Sequence, residues 1–137
     1  MDTNVRNIRK LNRDDLVYPD LSYKVLGALF DVWNKVGFGY KENVYRKAVA
    51  AALRSVGLLV KEQVYTKIIY QDQVIGRCYF DFLVDGKLVL EIKARGYFSK
   101  RDIEQLYSYL KSQGLKLGLI IHFSRDGVKY KRVVNIS

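Results

Sequence analysis

The chain has one cysteine, Cys78, and one histidine, His122. A lone cysteine forms no internal disulfide, and its place in an apolar strand pattern makes Cys78 an expected buried structural thiol. One Cys and one His also leave no ligand set for a structural zinc. No apolar run approaches the ~20 residues that cross a bilayer. The opening stretch MDTNVRNIRKLNRDD lacks the apolar centre of a secretory leader. Repeats, linkers and low-complexity segments are absent too. A cytoplasmic protein with no membrane partner is the expectation. Acids are scarce: 14 Asp and Glu stand against 24 Lys and Arg, a formal net charge of +10. Such a surface attracts polyanions, of which nucleic acid is the commonest inside cells.

What is present fits one domain. The chain has 137 residues and is 49% hydrophobic, enough for a real core. Residues 1–19 read as a basic arm (Arg6, Arg9, Lys10, Arg13) closed by Pro19, and 20–137 as the single domain. Leu26, Leu29, Val32 and Trp33 follow helical spacing and predict a helix over 22–36, capped by Ser22 and ended by Gly37. KENVYRKAVAAALRSV predicts a second over 41–56. LLVKEQVYTKIIYQ, QVIGRCYFDFLV and KLVLEIKA read as strands. A third helix over 100–113 follows Ser99 and stops at Gly114. LGLIIHF is a strand buried on both faces, and VKYKRVVNI an outer strand. The order α-α-β-β-β-α-β-β implies an α/β (α+β mixed) fold, a central mixed sheet flanked by helices.

Three charges interrupt the greasy hairpin CYFDFLVDGKLVLEIKA: Asp81, Glu91 and Lys93. Glu91 and Lys93 are two apart in a strand, so they share a face, while Leu88, Leu90 and Ile92 take the other into the core. Alone, a Glu-x-Lys strand face is a solvated ion pair worth little. Asp81 on the neighbouring strand changes the reading, because two carboxylates this close repel and one tends to stay protonated. A divalent cation removes that cost, and Mg²⁺ takes one or two protein carboxylates, waters and phosphate oxygens.

Asp-x9-Glu-x-Lys over a strand pair, with helices before and after, resembles the PD-(D/E)XK nuclease superfamily. GYKENVY, Gly39 to Tyr45, is similar to the signature of its GxxExxY branch, and the likeness runs on through GLLVKEQV, QLYSYLK and GLKLGLIIHF. Phe80 stands where the superfamily's name has proline. The resemblance implies a restriction-endonuclease-like core and a Mg²⁺-dependent nuclease, with Mn²⁺ as substitute. It implies metal binding by Asp81 and Glu91, an added carboxylate from Glu42, and the carbonyl of Ile92. Lys93 is then the catalytic lysine, and Gln105 a helix residue that supports the site or contacts phosphate. Tyr45 and Tyr109, one turn beyond Glu42 and Gln105, are expected to pack in support. His122, near where such proteins carry an asparagine, is expected to be structural. Nucleic acid, DNA ahead of RNA, is the implied partner, with Lys93, Lys100, Arg101 and Gln105 toward it; exposed tyrosines permit a homodimer. A non-cleaving binding module or an interaction subunit of the same fold is the alternative.

The hairpin register decides whether the two acids meet. A two-residue turn at Asp85-Gly86 sets Asp81 opposite Leu90 and away from Glu91. A three-residue loop, Val84-Asp85-Gly86, sets it opposite Val89 on the shared face. We therefore expect an odd loop or a bulge between Asp81 and Glu91, with both carboxylates on one face beside Glu42.

Overall fold

The computed structural model describes residues 17–136; the basic residues of the arm before 17 lie outside them. Helix α1, Pro19–Val36, starts three residues earlier than the Ser22 cap predicts. Proline at the first turn brings a helical φ, and its missing N–H costs nothing there. Ser22 instead lies inside the helix, buried, and its hydroxyl accepts a bond from Arg132 Nη1 at 3.0 Å. The buried stripe is Val25, Ala28, Leu29 and Val32. Trp33, expected in that stripe, lies at its border and donates Nε1–H to the Ser124 carbonyl at 2.8 Å.

Helix α2, Glu42–Ser55, leads into strands β1, Val60–Tyr70, β2, Gln73–Val84, and β3, Leu88–Ile92. Helix α3, Lys100–Gln113, begins at Ser99, whose Oγ accepts the Asp102 N–H at 3.0 Å, and ends at Gly114 with φ 66°. Strands β4, Leu117–Ser124, and β5, Gly127–Val134, complete a five-stranded sheet in the order β1-β2-β3-β4-β5. Only β3 and β4 run parallel, with α3 as their crossover.

The sheet is covered on both faces. Val25, Leu29, Val49 and Leu53 of α1 and α2 pack on Leu88, Leu90 and Ile92 of β3 and on Leu119 and Ile121 of β4. Leu106 and Leu110 of α3 pack on Val89, Ile120 and Val133 from the opposite side. A side chain at Gly118 would not fit there: a Cβ would meet Leu106 Cδ2 at 2.7 Å. Gly118→Ala is therefore expected to lower stability by about 1–3 kcal/mol through overpacking, read as a lower urea midpoint at unchanged m-value.

The β2–β3 connection is an odd loop, as the shared-face requirement demands. Val84 pairs with Leu88, so the loop is Asp85-Gly86-Lys87 and not the predicted Val84-Asp85-Gly86. Asp85 and Gly86 both carry positive φ, 52° and 65°, the sign pattern of a type I′ turn. The Asp85 carboxylate makes that turn tolerable by accepting the Leu59 N–H at 2.8 Å. Continued one rung, this register sets Asp81 opposite Glu91. A second irregularity accompanies it. Phe80 belongs to the α3 side of the core and Phe82 to the α1–α2 side, although they are two apart in one strand. Across from Asp81, Gln63 of β1 has φ 53°. The two strands thus change face together at Gln63 and Asp81.

Candidate active site at the fork between β2 and β3

β2 and β3 pair only over Phe82–Val84 and Leu88–Leu90. Beyond that, β2 stays with β1 and β3 with β4, and the sheet forks. Asp81 and Glu91 are the first residues past the last rung, and their side chains take over the lost ladder. Glu91 Oε1 accepts the Asp81 N–H at 3.0 Å, and Asp81 Oδ2 accepts the Ile92 N–H at 2.7 Å. Burial pushes the Glu91 carboxyl up to about 8, aided by the hydrogen bond and charge of Asp81 and opposed by Lys93. The cation-free site therefore favours the protonated form of Glu91.

Cations of the chain itself surround the pair. Arg46 of α2 donates Nε–H to Asp81 Oδ1 at 2.6 Å, and its Nη2 lies 3.7 Å from Glu42 Oε1. Glu42 thus reaches the fork through Arg46, and not side by side with Asp81 and Glu91 as expected. Among the described residues no three His, Cys, Asp or Glu side chains gather as a metal-holding group. Lys93 Nζ lies 3.5 Å from Glu91 Oε2 and 3.6 Å from Asp102 Oδ1. Asp102, buried at the start of α3, also receives Arg95 Nη2 on both oxygens, at 3.1 and 2.9 Å. Burial raises the Asp102 pKa, but the Ser99 bond and the charges of Lys93 and Arg95 outweigh it, so the group stays below the usual carboxylate range.

The other sequence candidates surround this centre. Ile92 and Glu42 line one small recess of about 110 Å³ with Tyr45 and His122. Gln105, exposed on α3, lines another with Glu91, Lys93 and Asp102. Lys100 and Arg101 are exposed at the start of α3, where Lys100 pairs with Glu104 at 3.8 Å. Tyr45 stacks on Phe123 at 4.5 Å, and its hydroxyl donates to the Gly37 carbonyl at 2.7 Å. Tyr109 packs on Phe80 at 4.8 Å. Both are packing residues in this structure. His122 Nδ1 lies 3.1 Å from the Lys93 carbonyl, which only accepts, so Nδ1 carries the proton and the ring fixes the strand after Ile92. Cys78 is half-buried, not buried as expected, because the gap between β2 and α3 is open at its position.

Sequence reasoning missed Arg46 and Asp102. Arg46 is four residues beyond Glu42 on one helix, a spacing that pairs them. Asp102 is three beyond Ser99, the capping-box position, and an acid there was readable as a neighbour of whatever precedes the helix.

Two adjacent carboxylates and a nearby backbone carbonyl form the hard-oxygen donor set that suits Mg²⁺ or Mn²⁺, which keep several waters and need few protein ligands. For a divalent cation to take that place, Arg46 must leave Asp81 Oδ1 and Glu91 must lose its proton.

A five-stranded mixed sheet between helices, with two acids and a lysine at its fork, defines a restriction-endonuclease-like protein. The family model of the PD-(D/E)XK nuclease superfamily matches residues 19–133, and the chain belongs to that superfamily. No curated protein matches the sequence. Among solved structures, the crystal structure of SSO0001 is similar, with a TM-score of 0.53 at 16% identity over 68% of this chain. That likeness is one of fold, and the chain spans about half, 50%, of the length of SSO0001. The superfamily is named for its nucleases. Among the described residues no helix is long and apolar enough to cross a membrane.

Proposed function

We propose that this protein is a Mg²⁺-dependent endonuclease of the GxxExxY branch, with Mn²⁺ as a substitute, that hydrolyses phosphodiester bonds in DNA ahead of RNA. The observation that carries the reading is the meeting of Asp81 and Glu91 at the strand fork with Lys93 3.5 Å from Glu91. Asp81, Glu91 and the Ile92 carbonyl hold the metal, with Glu42 as an outer carboxylate. When bound, the metal supplies an acidified water and a polarised phosphoryl oxygen. Lys93 keeps its ammonium between Glu91 and Asp102, aimed at the same space, where it orients the attacking water and stabilises charge developing on the phosphate. Asp102 positions Lys93 and does not itself meet substrate. Within the single domain, residues 20–137, Lys100, Arg101 and Gln105 contact the flanking phosphates beside Lys93. The same reading places the protein in the cytoplasm, and its exposed tyrosines, such as Tyr65 and Tyr79, are compatible with a homodimer.

Cleavage of labelled DNA and RNA with Mg²⁺ or Mn²⁺, beside the same reactions in EDTA, tests the activity. The non-cleaving binding module is the second reading, favoured by the grip of Arg46 on Asp81. Tight polyanion binding with no Mn²⁺ uptake would establish it.

Two further outcomes are expected. Asp102→Asn keeps shape and the Ser99 cap but loses the charge that holds Lys93. The rate constant for cleavage should fall roughly tenfold to a hundredfold, as for other outer partners of a metal site, with Mn²⁺ affinity unchanged by calorimetry. Nucleic-acid affinity should fall steeply as salt rises, because phosphate contacts release counterions; anisotropy titrations at several salt concentrations measure the slope, and a flat line would exclude phosphate-dominated binding.

A further inference from the structure

Beyond the fork, α3 and the β1–β2 ribbon line a second groove, of about 380 Å³. Its two sides differ in chemistry. The sheet side brings Thr66, apolar Ile68 and half-buried Cys78. The helix side brings Gln105 and Ser108, whose amide and hydroxyl both donate and accept hydrogen bonds. Lys67 and Arg101 give the lining two positive charges against one acid, Glu104. Gln105 lines this groove and also the recess that holds Glu91 and Lys93, so the two are neighbours.

We propose that this groove binds an unpaired nucleobase, the one attached to the nucleotide next to the phosphate at the fork. A base is flat and apolar on its faces and carries donors and acceptors on its edge, which matches Ile68 on the sheet side and the amide and hydroxyl of Gln105 and Ser108 on the helix side. The volume lies within the range of small-ligand pockets, about 300–1,000 Å³. The cations suit the flanking phosphates. A base stacked in a duplex cannot enter without leaving its helix, which costs unstacking and unpairing energy. The consequence is a preference for single strands, flaps or unpaired ends over continuous duplex. The proposal rests on the nucleic-acid reading of the fork.

The protein carries its own probe, since the only thiol of the chain lies in the groove. Alkylation of Cys78 by N-ethylmaleimide is followed by mass spectrometry in EDTA, where nothing is cleaved, with a short oligothymidylate or a duplex of equal length. The single strand is expected to slow labelling roughly tenfold and the duplex to leave it unchanged. Ser108→Tyr, a change at an exposed helix position, narrows the groove and is expected to weaken single-strand binding roughly tenfold, in line with loss of a base-binding contact. Failure of the single strand to protect Cys78, whether it binds elsewhere or not at all, overturns the proposal, as does equal protection by duplex. A Mn²⁺ titration run alongside separates the two ideas. Metal uptake without protection leaves the fork reading standing and removes the groove; protection without metal uptake keeps the groove and moves the fork to the non-cleaving reading.

Discussion

Glu91→Gln should abolish Mn²⁺ binding and reduce cleavage by roughly a hundredfold or more, while folding at neutral pH as well as the parent protein. The expectation follows from the proton on Glu91. With its pKa pushed up to about 8 by burial and by Asp81, the cation-free site holds a neutral carboxylic acid, for which glutamine is a near-isostere. A bound metal requires the carboxylate, which glutamine cannot supply. In the parent protein metal uptake must release that proton, so Mn²⁺ affinity should rise about tenfold per pH unit and level off near pH 8. The sign for stability is opposite. The folded-state pKa lies above the ordinary 4.5, so Glu91 favours the folded state below that value and loses this contribution as pH rises toward about 8. Glu91→Gln should lack this component, seen as a smaller fall in melting temperature between pH 5 and 8. A glutamine variant that bound Mn²⁺ like the parent would show that the metal sits elsewhere.

The second large effect concerns Arg46. Its Nε holds Asp81 Oδ1 at 2.6 Å, the oxygen that does not bond the Ile92 N–H. Any cation must compete with that guanidinium. A charge-assisted hydrogen bond is worth about 1.5–3 kcal/mol, and partial exposure of Arg46 screens it toward the lower figure. Arg46→Met keeps an unbranched stem of similar length and removes the competitor. Mn²⁺ affinity should then rise about tenfold by calorimetry. Unchanged affinity would mean that Asp81 Oδ1 is not a ligand. Asp81→Ala is the poorer test of the same oxygen, since it also strands the Ile92 N–H at the fork.

Much of this architecture is legible in the chain because it is written in periodicity. QVIGRCYFDFLV and the Ser99–Gly114 helix appear with the boundaries that alternation, capping and glycine assign. Glu91 and Lys93 share a face because strand geometry leaves no choice. The odd loop was legible for a different reason: an even one would have separated Asp81 from Glu91. Which three residues form it was not, because Asp85 takes a left-handed φ that its bond to Leu59, distant in sequence, supports. The face change at Gln63 and Asp81 was hidden for the same reason, being a property of two strands together. Arg46 and Asp102 were missed because each meets its partners across elements, Asp81 in one case and Lys93 and Arg95 in the other. Ser22 was misread because the proline three residues earlier dominates the start of α1.

The most direct measurement is cleavage of end-labelled single- and double-stranded oligonucleotides by the purified protein in Mg²⁺, with EDTA, Asp81→Asn and Lys93→Ala as parallel reactions. Asp81→Asn keeps an acceptor for Ile92, and Lys93 is half-exposed, so neither change should unfold the protein. Metal-dependent products from the parent alone, with Lys93→Ala still taking up Mn²⁺, is the predicted result. Cleavage by both variants at the parent rate, or products that persist in EDTA, would contradict a metal-dependent nuclease at the β2–β3 fork.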